Sequence, residues 1–330
     1  MGFARIAFVA LMVSSLSFAD ERKYELLNTR PAPGTFYGGG LSFIAISPDG
    51  KSIAQINAGQ LSIRKLYSSE ESMLLPKGSV AALPRVWATW APDGKSLYYL
   101  HSAEKVTVND LWRVDIATHK TELLIKNIAG SASQPSPSPD GRSIAFWRGH
   151  TLMIAGADGK NERALCEKCD PWRGLTFSPD SSQITVSMMA ERAPDFRSAK
   201  LHLLSAATGQ VRPLASFSGN VRSLLWPAWS SGPFLCLMVA DNDRKHFQMI
   251  SSEVWHVDAS TGKQTQVTQP PLNYFAILGA GPEEYSLLVS QMPPEPNGWD
   301  NFLGMLERIG LSLNDKPKPA MNPVILTLRK

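Results

Sequence analysis

The chain has 330 residues, with 33 Lys and Arg against 29 Asp and Glu, a formal charge of +4 and 19% charged residues, below the usual quarter or so. So small a charge, carried by dispersed Lys and Arg, argues against nucleic acid as a partner. Gly and Pro, 24 of each, mark a turn-rich chain of the sort that builds β architectures.

Residues 1–19 read as an export leader. Arg5 opens a short basic start, Ile6 to Leu16 is apolar, and Ser17-Phe18-Ala19 offers small residues at the positions a signal peptidase needs, leaving Asp20 first. The apolar run is too short for a permanent anchor, and no later stretch reaches about 18 apolar residues. No Cys follows the cleavage site, which argues against a lipid anchor. The expectation is a soluble monomer in the periplasm or secreted, without a transmembrane anchor.

Residues 20–40 form an N-terminal segment in which Tyr24 to Leu27 is apolar enough for a strand. From residue 41 onward the chain repeats. Ser47-Pro48-Asp49-Gly50, Ala91-Pro92-Asp93-Gly94, Ser138-Pro139-Asp140-Gly141 and Ser178-Pro179-Asp180-Ser181 have their aspartates 44, 47 and 40 residues apart. Weaker copies follow at Trp229-Ser230-Ser231-Gly232 and Gly281-Pro282-Glu283-Glu284. Pro presets φ and Asp-Gly permits the positive φ that reverses the chain, so each copy is a hairpin turn. Short strands precede the turns at Leu41 to Ile46, Val86 to Trp90, Gly174 to Phe177 and Ser223 to Trp229. Apolar strands follow them, from Ser52 to Ile56 through to Tyr285 to Ser290. A third strand carries Leu111-Trp112-Arg113-Val114-Asp115 or Val254-Trp255-His256-Val257-Asp258. Turns such as Thr208-Gly209-Gln210 and Thr261-Gly262-Lys263 then lead to a fourth, as in Thr121 to Ile125. Four strands per repeat at a period of about 40 to 50 residues predicts an all-β, six-bladed β-propeller with four-stranded antiparallel blades over residues 41–330. Trp299 to Leu313 could be a strand, a loop or a short helix. Either Tyr24 to Leu27 or Val324 to Leu328 is expected to close the last blade, because an open edge is a liability.

The string of apolar strand, Ser-Pro-Asp-Gly, apolar strand, Leu-Trp-Arg-Val-Asp and Thr-Gly-Lys resembles the TolB-like β-propeller repeat family over residues about 41 to 290. It is similar too to the propellers of prolyl-oligopeptidase-type proteins. The resemblance implies the propeller alone. TolB carries an α/β domain before its propeller, and Asp20 to Gly40 is too short to hold one, so TolB's envelope role is not carried over.

In a propeller the first-to-second and third-to-fourth strand turns share one face, where the Ser-Pro-Asp-Gly turns read as structural. The second-to-third loops and the connections between blades share the other. There Asn57 to Gln60 and Trp147 to His150 are tight. Ala190 to Ala199, Asp241 to Ser252 and Pro293 to Asn301 are long, and carry Asp195, Arg197, Asp241, Asp243 and Trp299. They are tolerated insertions or a recognition surface. Arg85, Arg173 and Arg222 fall just before innermost strands, four to seven residues ahead of Trp90, Phe177 and Trp229. They either pair with nearby carboxylates or converge at the channel mouth to hold an acidic group. Cys166 and Cys169 lie between blades three and four and are expected to form a local disulfide.

Among enzyme readings, no Gly-x-Ser-x-Gly pentapeptide occurs, so a peptidase is excluded, and no phosphate-loop or dinucleotide fingerprint is present. Of six His, only His101 and His150 occupy similar places, a weak start to a metal site that needs about three protein ligands. No cofactor is predicted, while a structural or catalytic divalent metal stays open. Two readings survive. One is a binding module for an envelope protein, a peptide or a small acidic ligand; the other is a metal-dependent lyase or hydrolase acting on an acidic saccharide or lactone. The balance is against an enzyme.

Overall fold

The computed structural model describes residues 25–31, 43–57, 59–66, 68, 70–80, 88–102, 108–129, 135–167, 171–189, 198–218, 222–229, 235–242, 249–267, 274–280, 286–291 and 322–329. These contain strands and turns and no helix. The leader at 1–19, Trp299 to Leu313, and the candidate residues Arg85, Cys169, Asp195, Arg197, Asp243 and Trp299 lie outside them.

All strand pairs are antiparallel, and the strands form six sheets of four. Sheet one is β2 (Phe43–Ile46), β3 (Ser52–Asn57), β4 (Gln60–Lys65) and β5 (Glu71–Leu75). Sheet two is β6 (Ala88–Trp90), β7 (Ser96–Ser102), β8 (Val108–Asp115) and β9 (Thr121–Ala129). Sheet three is β10 (Ser136–Pro137), β11 (Ser143–Arg148), β12 (Thr151–Gly156) and β13 (Arg163–Cys166). Sheet four is β14 (Pro171–Phe177), β15 (Gln183–Met189), β16 (Ser198–Ser205) and β17 (Val211–Ser218). Sheet five is β18 (Arg222–Trp229), β19 (Leu235–Asn242), β20 (Met249–Val257) and β21 (Gln264–Gln266). Sheet six departs from chain order: β22 (Tyr274–Ala280), β23 (Ser286–Gln291), β24 (Asn322–Arg329) and then β1 (Glu25–Pro31). Both apolar terminal segments enter this sheet, not one, because β24 supplies its third strand and leaves the fourth place for β1. The first strands of successive sheets adjoin, β2 to β6, β6 to β10, β10 to β14, β14 to β18 and β18 to β22, and β22 also touches β2.

Sheet three buries both faces against its neighbours, so its strands carry apolar residues at consecutive positions (Ile144, Ala145, Phe146 and Trp147 in β11 are each at most 3% exposed). Alternation then decides which neighbour a residue meets. Ala54, Ile56 and Leu61 of sheet one pack with Leu97, Tyr99 and Val114 of sheet two. Trp147, Leu152 and Ile154 of sheet three pack with Phe177, Ile184, Val186 and Leu204 of sheet four. Polar ties cross the same seams: Trp90 Nε1 donates to the Ala45 carbonyl at 2.9 Å, and Trp229 Nε1 donates to Thr185 Oγ1 at 3.3 Å.

A leucine is skipped by the register in five of the six outer strands: Leu27, Leu74, Leu124, Leu165 and Leu214. Such a bulge bends the strand and adds twist. It also presents a backbone carbonyl to the next sheet. The third-to-fourth turn glycines Gly159, Gly209 and Gly262 rest on Leu124, Leu165 and Leu214, so closely that a Cβ would collide with those carbonyl oxygens. Leu27 gives β1 the same irregularity, so the N-terminal strand has the character of an outer strand.

Candidate functional site

The strand turns place two unlike ends on the six sheets. At the end bearing the first-to-second and third-to-fourth turns, the polar groups are consumed by the turns. Ser47 Oγ donates to Asp49 Oδ1 at 2.5 Å and accepts from the Ser52 amide, while the Lys51 amide donates to the same carboxylate. Ser138 with Asp140 and Ser178 with Asp180 repeat the arrangement. The serine hydroxyls, then the backbone donors, hold all three carboxyls below the usual carboxylate range. The third-to-fourth turns use Asp115 and Asp258 similarly. Asp258 accepts from the Ser260 and Thr261 hydroxyls and amides; the Ser260 hydroxyl first, then the Thr261 amide, draws it down to about 2. The Oδ1 atoms of these carboxylates are engaged within their own turns, the arrangement of a structural role.

The opposite end carries the second-to-third loops and the sheet-to-sheet crossovers. The loops are unequal. Two residues separate β3 from β4 and two separate β11 from β12, with Gly59 and Gly149 at positive φ. Residues 103–107, 190–197, 243–248 and 292–321 separate the other second and third strands.

Arg173 and Arg222 sit inside the innermost strands rather than just before them. Arg173 lies in β14 in register with Ser187, with a register shift on either side. Arg222 opens β18 in register with Asp241 of β19. Asp241 is therefore a strand residue and not a loop residue, and the loop beyond β19 is shorter than Asp241 to Ser252. Likewise β16 begins at Ser198, which shortens the loop expected from Ala190 to Ala199. Polar residues conceal such strand ends in the sequence, whereas the backbone register carries the ladder through them. The β14 and β18 strands adjoin, so Arg173 and Arg222 belong to neighbouring strands at this end.

His101 lies in β7 in register with Asp110, and its ring tilts against Trp112 at a centroid distance of 6.1 Å. His150 lies in the exposed turn between β11 and β12. The two belong to different sheets, and among the described residues no three His, Cys, Asp or Glu side chains gather as a metal site would need. Cys166, at the end of β13, is disulfide-bonded.

Two features of this end were not read from sequence. Asn127 of β9 takes φ 56 in a bulge whose amide donates to Asp110 Oδ1 at 2.9 Å. Beside it Arg148 donates to Glu162 Oε2 at 2.6 Å and to the Lys126 carbonyl at 3.3 Å, and lies over the Phe146 ring. Arg148 thus spans the seam between sheets two and three. The one signal was Asn127, a residue that tolerates left-handed backbone, within a strand.

This arrangement of four-stranded antiparallel sheets is that of the TolB-like β-propellers. A protein of Agrobacterium tumefaciens described as a TolB superposes with TM-score 0.55 and 17% identity over 69% of this chain and 80% of its own. TolB from Acinetobacter baumannii gives 0.50 and 15%, over 90% and 67%. An oligogalacturonate lyase in complex with manganese gives 0.55 and 15%, over 87% and 76%. Identities this low establish a shared fold. No family model and no curated protein sequence matches the chain. Among the described residues no helix is long and apolar enough to cross a membrane.

Proposed function

We propose that the six sheets close into a six-bladed propeller, with β1 as the strand that completes the last blade, and that it works as an exported protein-interaction or ligand-binding module. The observation carrying this reading is the contrast between the two ends. One is consumed by its own turns; the other has unequal loops and two arginines on adjoining innermost strands. Arg173 and Arg222 are the anion-recognising pair, suited to carboxylates of an acidic peptide, protein segment or small ligand through forked hydrogen bonds. Arg85, Asp195, Arg197, Asp243 and Trp299 belong to the same surface in this reading. Cys166 pairs with Cys169, fixing the crossover that leads into the Arg173 strand. The leader at 1–19 supports an envelope or secreted location, and the TolB-like fold supports a protein partner.

The test is capture from the cell envelope with wild-type protein and with Arg173→Glu/Arg222→Glu. Loss of the captured partner, with the melting temperature held within a few degrees, supports the reading. Unchanged capture removes the two arginines from it. Because Arg222→Glu faces Asp241, Arg173→Glu alone serves as the control free of that repulsion.

A second reading, a metal-dependent lyase or hydrolase on an acidic saccharide or lactone, is favoured by the manganese-bound oligogalacturonate lyase among the fold neighbours. His101 and His150 would be its first ligand candidates. Stoichiometric tightly bound metal in the purified protein, with cleavage of oligogalacturonate, would establish it. Metal-free protein inactive on that substrate after addition of manganese would eliminate it.

A further inference from the structure

The crossover from sheet three into sheet four starts at a covalent bond. Cys166, the last residue of β13, is disulfide-bonded. Of the two other cysteines, Cys236 lies in β19 of sheet five, on the far side of sheet four. Cys166 itself is firmly set. It is in register with Leu152 and packs against the core shared by sheets three and four. The carbonyl of the preceding Leu165 is the one on which Gly209 rests. Four residues, 167–170, then lead into β14.

The strand they enter is divided. From Leu175 to Phe177 it pairs residue by residue with β15, and Leu175 and Phe177 are buried in that same core. Before Leu175 the ladder is sparse. Only Pro171 and Arg173 have partners there, Met188 and Ser187, while Trp172 and Gly174 are skipped. Proline has no amide to donate, and each skipped residue interrupts the ladder. A stretch with so few backbone bonds opens at lower free energy than the strand it belongs to. Its position therefore depends on how its other end is tethered.

We propose that Cys166 is bonded to Cys169 and that the pair is a redox switch for Arg173. Oxidised, it ties the crossover to the packed end of β13 and holds the start of β14; reduced, it lets Pro171 to Gly174 leave β15. The proposal rests on the reading of Arg173 as an anion-recognising residue. The bond is not needed to make the connection, since a shorter crossover, residues 219–221, leads from β17 into β18 and contains no cysteine. Nor is it built to hold the fold. A disulfide stabilises according to the length of loop it closes, and Cys166-Glu167-Lys168-Cys169 is very short. Glu167 beside it is exposed, and exposed disulfides are the labile ones. A dithiol supplies the two electrons. One thiolate attacks a sulfur of the bond to give a mixed disulfide, and its second thiol displaces the first. Cys166 and Cys169 are left as thiols, and the reductant departs as its own disulfide.

The test is hydrogen exchange, read by mass spectrometry, on the oxidised protein, on the protein reduced with dithiothreitol, and on Cys169→Ala, which lacks the bond without any reductant. In both bond-free forms peptides covering residues 171–174 should exchange about tenfold faster or more, while those covering β7 and β8 of sheet two stay unchanged. Capture of the envelope partner should fall to the level of Arg173→Glu and return on reoxidation of the reduced protein. Unchanged exchange over residues 171–174 in both forms overturns the switch, whatever happens to capture. Loss of protection in every sheet shows a bond that holds the whole fold, and overturns it too. Faster exchange with capture undiminished overturns the control of binding; where Arg173→Glu also leaves capture unchanged, the reading of Arg173 has failed with it.

Discussion

At Gly209 two constraints coincide. Its φ of 73 is the left-handed region, and its Cα sits so near the Leu165 carbonyl that a side chain has no room. Gly94 has φ 68 but nothing within 4 Å of its would-be Cβ. The two separate backbone strain from inter-sheet collision. Gly94→Ala should lose about 1–2 kcal/mol through the left-handed backbone alone. Gly209→Ala should lose about 2–5 kcal/mol, because overpacking against the neighbouring strand adds to it. Urea midpoints of the two variants check this, and equal losses would mean that the close approach carries no energetic weight. His119, at φ 57 in the corresponding turn of sheet two, shows the backbone shape being held without glycine.

Between elements, the same principle appears as ties across seams. Trp90 is 7% exposed and donates its indole N–H to a carbonyl of the preceding sheet. Trp90→Phe keeps an aromatic ring and removes the donor, so about 1–3 kcal/mol should be lost, the cost of a buried hydrogen bond with one partner stranded. The denaturation midpoint measures it, and a shift below ~0.3 kcal/mol would show that the bond is replaced by water. Much at this scale was legible in the sequence. Pro-Asp-Gly dictates a turn through φ alone, and Leu-Trp-Arg-Val-Asp alternates wherever it stands. Less legible was anything decided by a neighbour. Arg64 within Ser62-Ile63-Arg64-Lys65 has the pattern of an exposed polar position and is 8% exposed. Leu124 and Leu165 look like ordinary strand residues, and only pairing with the third strand shows them skipped. Arg222 and Asp241 were assigned to the ends of loops since each is polar, although opposite each other they extend the sheet. Thus the setting of Arg173 and Arg222 within strands was not legible in the sequence.

Over the whole molecule, acid should be the sharpest stress. His256 is 8% exposed, and burial pushes its imidazole from 6.5 down to about 4. The folded protein keeps it neutral while the unfolded chain takes up a proton below pH 6.5. Stability is therefore undiminished above that pH and falls as the pH drops from 6.5 to 4, by at most about 3 kcal/mol. Below 4 both states are protonated and this loss stops. The carboxyls act lower: Asp258 is ionised in the fold down to about 2 against an ordinary 3.8, so its contribution disappears between those values. Thermal midpoints measured from pH 7 to 3 should decline first in the histidine window, and His256→Gln should flatten that part of the curve. A flat wild-type profile between pH 6.5 and 4 would contradict the buried neutral imidazole.

Glu25 and Arg329 are cross-strand partners in the sixth sheet. The earliest and latest described positions are thus spatial neighbours within one sheet. That sheet cannot be completed during synthesis until its last strand has left the ribosome, however early its first was made.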